Sequence, residues 1–444
     1  MACLQVQVEV AGSEGRINMG RTIAEKILST HTNDPVEPGA FISARVDMLM
    51  LNDGSGPYAI KILGEMGATQ VFDPERIVLV SDHNAPAKDD ISARSIRTLQ
   101  NFAQSQGIVH HYGPGSGIAH LIMAEGGIAL PGELIVGGDS HTCLLGGLGA
   151  FATGMGATDL AYCLALGEVW LRVPESVKLI YRGNLPTWVS GKDLILYTIG
   201  RFGTDGFRYQ ALELSGPVIS ELSVSQRETM CNMGVEAGAK VAIVPADQKT
   251  VDYTLARAAR SFVPVTSDSD AEYAAIIEMD VDNLEPQISC PSSPGNVQAV
   301  DSVRGIHLDQ VYIGSCTNTK IDDLRVVAQI LRGRKVFPET RLIVIPGTRQ
   351  IQLQAVREGL IETFLDAGAT VGPPTCGACF GGHMGLLAPN EVCLTTTNRN
   401  FPGRMGAIDA QIYLASPAVA AASAVRGCIS HPRDVVRSGE ETRI

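Results

Sequence analysis

Short, unbroken apolar runs, each stopped by a small polar turn, recur along this chain and restrict its fold more than any other feature. The run 44–51 stops at Asn52-Asp53-Gly54-Ser55-Gly56, and 77–80 stops at Ser81-Asp82-His83-Asn84-Ala85-Pro86. The run 133–136 ends at Gly137-Gly138-Asp139-Ser140-His141-Thr142. In the last third, 311–316 ends at Thr317-Asn318-Thr319, 342–345 at Pro346-Gly347-Thr348, 392–394 near Thr397-Asn398-Arg399-Asn400, and 412–414 at Ala415-Ser416-Pro417. Continuous rather than alternating apolar strands, with helix-length segments between them, predict parallel sheets covered on both faces in an α/β fold. Ligands in such sheets bind beyond the carboxyl ends of the strands. The polar turns are therefore expected to face one cleft.

At 444 residues the length allows about three domains. Residues 1–18 read as an N-terminal extension and 19–183 as a first α/β domain, with helical patterning over 22–28. Residues 184–298 read as a middle α/β domain closed by the Pro/Ser-rich linker 286–295, and 299–444 as a third. No internal repeat of domain-building length is visible. The formal charge of -12, with no basic block, argues against a nucleic-acid surface. Any anionic substrate must then be held by a few placed arginines. No apolar run reaches membrane-spanning length, and the first residues lack the pattern of a secretory or mitochondrial leader. Ten cysteines in a chain this long do not make a disulfide framework, so a reducing, cytoplasmic setting is expected.

Three of those cysteines stand out. Cys316 ends an apolar strand, while Cys376 and Cys379 form a C-x-x-C in a Pro- and Gly-rich loop, Pro373-Pro374-Thr375-Cys376-Gly377-Ala378-Cys379-Phe380-Gly381-Gly382. Structural zinc wants four closed ligands, usually from two such pairs. A thioredoxin-like dithiol needs no third thiol. An iron–sulfur cube held by three thiolates uses all of them and leaves one iron open. Spacing alone leaves the three readings standing.

Other turns carry groups suited to acid/base work. Asp82-His83 and Asp139-Ser140-His141 each put a carboxylate beside an imidazole, and a carboxylate on one ring nitrogen sets the tautomer of the other. Each pair alone is as well explained as a surface or satisfied core residue. Their repetition, with His120 following Gly115-Ser116-Gly117, weakens that explanation. Arg399 and Arg404 flank a Pro-Gly turn and form a candidate clamp for a polycarboxylate, with a solvated loop as the plain alternative. Glu236, amid small residues, is either a solvated helix residue or buried and paired. The glycines 146, 147 and 149 lack the spacing and acidic partner of a dinucleotide site.

Taken together, these stretches resemble the aconitase superfamily, and within it the large subunits of 3-isopropylmalate dehydratase and their close relatives. The likeness spans about 20–430. It rests on Ser81-Asp82-His83-Asn84, Gly138-Asp139-Ser140-His141-Thr142, Cys231-Asn232-Met233-Gly234, Gly314-Ser315-Cys316-Thr317-Asn318, Cys376-Gly377-Ala378-Cys379 and Thr397-Asn398-Arg399-Asn400-Phe401. Six motifs in order are specific for the superfamily and much less so for the substrate. The C-x-x-C departs from the usual pattern by carrying Ala378 in place of proline.

The resemblance implies three α/β domains around one central 4Fe–4S cluster, held by Cys316, Cys376 and Cys379, whose fourth iron has no protein thiolate. It implies that His83, oriented by Asp82, protonates the departing hydroxyl, and that His120, Asp139, His141 and Glu236 order hydroxyl and water at the open iron. Arg399 and Arg404 would grip carboxylate, Asn232 and Asn398 would hydrogen-bond the cluster, and Asn52 would face the substrate. The sequence after Ala415-Ser416-Pro417 has no counterpart of the swivelling fourth domain, so a small subunit supplying the base is expected, in a heterodimer or heterotetramer. The implied enzyme is a hydro-lyase acting on a substituted malate in leucine biosynthesis, with homoaconitate or 2,3-dimethylmalate as alternative substrates. An iron-sensing, RNA-binding homologue and a zinc-stapled scaffold are the rivals from other classes.

Overall fold

The computed structural model describes residues 20–436, so the expected extension 1–18 lies outside the described residues. The first sheet is parallel throughout, in the spatial order His110–Tyr112, Ile77–Val80, Met48–Asn52, Leu134–Gly137, Phe151–Gly154. Its central strands are buried along their whole length, as continuous apolar runs predict. From Met48–Asn52 the chain builds outward to one side, then returns to continue on the other. The switch point lies between Met48–Asn52 and Leu134–Gly137, where turns at the carboxyl ends of strands converge.

The third sheet repeats the device. Its parallel block runs Gln411–Ala415, Val392–Thr395, Gln310–Ile313, Arg341–Val344, Thr370–Val371, and the direction of winding reverses between Gln310–Ile313 and Val392–Thr395. A smaller parallel sheet, Val241–Ile243, Ala211–Ser215, Ser176–Arg182, Ala275–Asp280, stands between the two in sequence. A two-stranded ribbon pairs Phe41–Arg45 with Glu168–Arg172.

Three sequence expectations differ from these elements. The run 44–51 is two strands, because Asp47 leaves the ladder. Its carboxylate accepts from the Leu134 amide at 2.9 Å and meets His31 Nε2 at 2.5 Å. Strand Ser176–Arg182, on the first side of the expected boundary at 183, pairs within the middle sheet. The Pro/Ser stretch expected as a linker carries strand Gln287–Ser289, which joins the third sheet against Gln411–Ala415 and Val297–Ala299. Ile288 is fully buried there, and its apolar side chain outweighs the turn composition around it.

The helix Val224–Asn232 carries a site residue at its end, and Arg227 anchors it. This fully buried guanidinium makes a bidentate contact with Asp247 at 2.7 Å for both bonds and also donates to the Ile219 and Ser220 carbonyls. The Arg227 charge holds the Asp247 carboxyl down at about 2. Removing the guanidinium strands two carbonyls and a partly buried carboxylate. Arg227→Ala should lower stability by roughly 3 kcal/mol, read as a lower denaturant midpoint; an unchanged midpoint would show that the network carries no net stabilisation.

Candidate active site

The turn after Ile77–Val80 is shaped by an acid that the sequence reading passed over. Asp53 is buried at the end of Met48–Asn52, and its Oδ1 accepts from the Asp82 and His83 amides at 2.9 and 2.8 Å. Its Oδ2 accepts from Asn84 N at 2.6 Å. Three amides folded onto one carboxylate force the chain off the strand, so the neighbouring side chains Asp82 and His83 can meet. They do so at 2.8 Å, Nδ1 to Oδ1. The signal available in sequence was an acid at the same strand end as Asn52. The Asn52 Oδ1 itself accepts from Gly54 N, Ser55 N and Ser55 Oγ, so it caps its own turn beside His83.

Asp139, after Leu134–Gly137, is the hub of the imidazoles. His83 Nε2 lies 3.3 Å from one of its oxygens, with His120 Nε2 and His141 Nδ1 at 3.5 and 3.4 Å from the other. Burial works against the charge, yet bonds from His141 and His83 hold Asp139 well below the carboxylate range. Burial also opposes charge on His83. Its contacts with the Cys376 sulfur and the Asp82 and Asp139 carboxylates outweigh that and raise its pKa well above the ordinary value. Burial has the opposite outcome at His120, which is pushed down and left neutral. Both His120 ring nitrogens are buried without a hydrogen-bond partner among the described residues.

The middle sheet supplies the next link. Glu236, in the turn Met233–Ala237, accepts from Arg399 Nε at 2.7 Å and meets His141 Nε2 at 2.8 Å. Burial raises the cost of its charge, and His141 with Arg399 more than offsets it, so its pKa is lowered. It is buried and paired, not a solvated helix residue.

The three cysteines come from two loops of the third sheet. Cys316 follows Gln310–Ile313, and Ser315 before it takes a φ of 119° to make the turn. Cys376 and Cys379 follow Thr370–Val371 and lie in and beside the turn Gly377–Phe380. Asn398 brings the loops together, its Nδ2 3.6 Å from Cys316 Sγ and its Oδ1 3.7 Å from Cys379 Sγ. Asn232 Nδ2 donates to Cys316 Sγ at 3.1 Å. Cys376 Sγ lies 3.5 Å from Asp82 Oδ2, which places the thiols against the Asp/His group. The Phe380 ring stacks at 4.7 Å from that of His83.

This cradle fits a cationic metal group. All three thiols are buried and pushed upward, first by loss of water and then by neighbouring negative charge, Cys379 and Asp139 at Cys316 and Asp82 at Cys376. Thiolates there need more positive charge than Arg404, beside Cys379, provides. The unpartnered His120 nitrogens, the Arg404 Nε and the Tyr312 hydroxyl, all buried, leave polar capacity for a bound group and its ligand. Of the predicted site residues, Asp82, His83, His120, Asp139, His141, Glu236, Arg399, Asn232, Asn398 and the cysteines form one connected assembly. Arg404 reaches it through its charge on Cys379, and Asn52 lies at its edge.

The chain matches the sequence model described as the aconitase family (aconitate hydratase) over residues 25–305 and 298–427. A 3-isopropylmalate dehydratase large subunit of Moorella thermoacetica is 53% identical over 421 residues, 94% of this chain and 100% of that protein. The proteins of that name from Hydrogenobaculum sp. and Aquifex aeolicus are 50% and 51% identical over 94% and 95% of this chain, and 99% of each of theirs. Among solved structures, aconitase X of Thermococcus kodakaraensis in its holo-form aligns with 83% of this chain and 88% of its own at a TM-score of 0.49 and 12% identity. The chain belongs to the aconitase family.

Proposed function

We propose that this chain is the large subunit of an iron–sulfur hydro-lyase that interconverts 3-isopropylmalate and 2-isopropylmalate through an unsaturated diacid. The observation that carries the proposal is the junction of a three-thiol cradle with an imidazole clamped between two carboxylates. Family membership supports an iron–sulfur cluster, and three thiols favour a 4Fe–4S cube on Cys316, Cys376 and Cys379. When bound, such a cluster offers its open iron as a Lewis acid to the substrate hydroxyl and an adjoining carboxylate.

The remaining work falls to this chain's own side chains. His83 donates its Nε2 proton to the departing hydroxide, and Asp82 on Nδ1 holds the ring in the donating orientation. Asp139, with His120 and His141, fixes where hydroxyl and water stand. Arg399, oriented by Glu236, and Arg404 bind substrate carboxylate, Asn232 and Asn398 donate to the Cys316 sulfur that would ligate the cluster, and Asn52 stands beside His83 at the substrate edge. The base that removes the proton α to carboxylate comes from a small subunit, in a heterodimer or heterotetramer. The relatives' naming as large subunits supports this. Among the described residues no helix is long and apolar enough to cross a membrane, and the buried thiols suit the reducing cytoplasm.

A second reading has one observation in its favour. Asp82, His83 and Cys376 offer ligand atoms all within 4.8 Å of one another, a mixed set that zinc accepts. Against it, both His83 ring nitrogens are already engaged, Nδ1 by Asp82 at 2.8 Å and Nε2 by Asp139 at 3.3 Å.

Cys376→Ala should abolish iron and acid-labile sulfide after anaerobic reconstitution; zinc without sulfide in the unaltered chain would instead establish the second reading. His83→Ala should keep the cluster and slow dehydration by ~10²-fold or more, and unchanged turnover would remove His83 from the chemistry. The chain alone should be inactive. With its small subunit it should turn over 3-isopropylmalate faster than homoaconitate or 2,3-dimethylmalate, and the opposite order would reassign the substrate.

A further inference from the structure

Lys192 is fully buried at the start of the helix Gly191–Phe202, and no carboxylate among the described residues bonds its amine. The neighbouring Asp193 directs its oxygens elsewhere, Oδ2 to Ser190 and Oδ1 to the Gln287 amide. The Lys192 Nζ donates instead to two successive main-chain carbonyls of the third sheet, Thr396 at 2.9 Å and Thr397 at 2.6 Å. Those carbonyls end the strand Val392–Thr395, and the next two residues are Asn398, between Cys316 and Cys379, and Arg399, paired with Glu236. The bond spans 204 positions and crosses from the middle sheet's helix to the third sheet's loop.

We propose that Lys192 is a positioning residue: by holding the Thr396 and Thr397 carbonyls it sets where the Arg399 guanidinium and the Asn398 amide stand, and so how tightly a substrate carboxylate is gripped. This rests on the carboxylate role proposed above for Arg399. Without the lysine, two buried carbonyls lose their donors and the loop has reason to turn toward water. Burial, against the attraction of Cys379 and Asp193, pulls the Lys192 pKa down to about 7. A neutral amine keeps two N–H donors for two carbonyls, so the clamp works in either protonation state. A cavity of about 560 Å³ is lined by Lys192 together with Thr229, Asn318 and Ser416.

The test uses the reconstituted two-subunit enzyme for kinetics and the chain itself for hydrogen exchange. Lys192→Met should raise KM for the hydroxy diacid about tenfold while kcat changes less than about threefold, and should speed amide exchange over 396–400 about tenfold, from the loss of two buried hydrogen bonds. Lys192→Ala with propylammonium, the fragment removed, should recover both values, and propanol of the same size should not. Unchanged exchange and KM in Lys192→Met, or a fall in kcat at constant KM, would overturn the inference. Should Lys192→Met fail to fold, failure of propylammonium to restore Lys192→Ala overturns it equally. Exchange requires neither cluster nor substrate. An unaltered enzyme inactive on every hydroxy diacid thus rejects the hydro-lyase reading while the clamp is still decided.

Discussion

The backbone of the third sheet's cysteine loop is tied to the backbone of the first sheet's Asp/His turn, and the site depends on that knot. The Cys376 amide donates to the Asp82 carbonyl at 2.8 Å, and the one Thr375 hydroxyl proton is shared between that carbonyl, also at 2.8 Å, and Ala85 O. Two sheets, each with its own switch point, thereby meet end to end. Each switch point alone would be an ordinary ligand crevice of an α/β sheet. Facing each other, one supplies sulfur and arginine and the other supplies imidazole and carboxylate.

The middle sheet enters through close backbone contact. A Cβ on Gly146 would lie 1.8 Å from the Ala242 carbonyl, and one on Gly147 would lie 2.6 Å from Glu228 N. Only glycine lets the turn Ser140–Leu148, which carries His141, press against the helix Val224–Asn232 and the strand Val241–Ile243. That approach puts His141 within reach of Glu236. The cluster of glycines that fails as a dinucleotide signature is thus a packing device. It serves the same assembly as the cysteines.

What could be read in the sequence, and what could not, follows from the range of the interaction involved. Strands such as Ile77–Val80 were legible because burial on both faces writes itself as a local apolar run. The split of 44–51 was not, because Asp47 leaves the ladder for His31 and Leu134, and Leu134 lies 87 positions away. Motif residues such as Asp82, His83 and Cys316 stood out as candidates by type and spacing, and the likeness to the aconitase superfamily supplied their roles. Asp53 and Lys192 were not, since a buried acid that folds three amides and a buried amine that holds two carbonyls look in sequence like any Asp or Lys. The structure shows them because their partners are main-chain groups, which carry no sequence signature.

The acidic balance of the chain, -12 overall, looks unsuited to binding a dicarboxylate. The local arrangement resolves this. Asp82, Asp139 and Glu236 are each committed to histidine, and Glu236 to arginine as well, so their charge is offset within the assembly. Arg404 Nε stays buried with no partner among the described residues, and His83 Nε2 lies 3.3 Å from Asp139. In a site shielded from water, these near charges dominate over a diffuse surface field screened within about 8–10 Å by salt. A carboxylate therefore meets donors at the site whatever the sign of the protein as a whole. Under the proposed function, selectivity for an anion follows from which donors are left unpartnered, and among the described residues the Arg404 Nε is one.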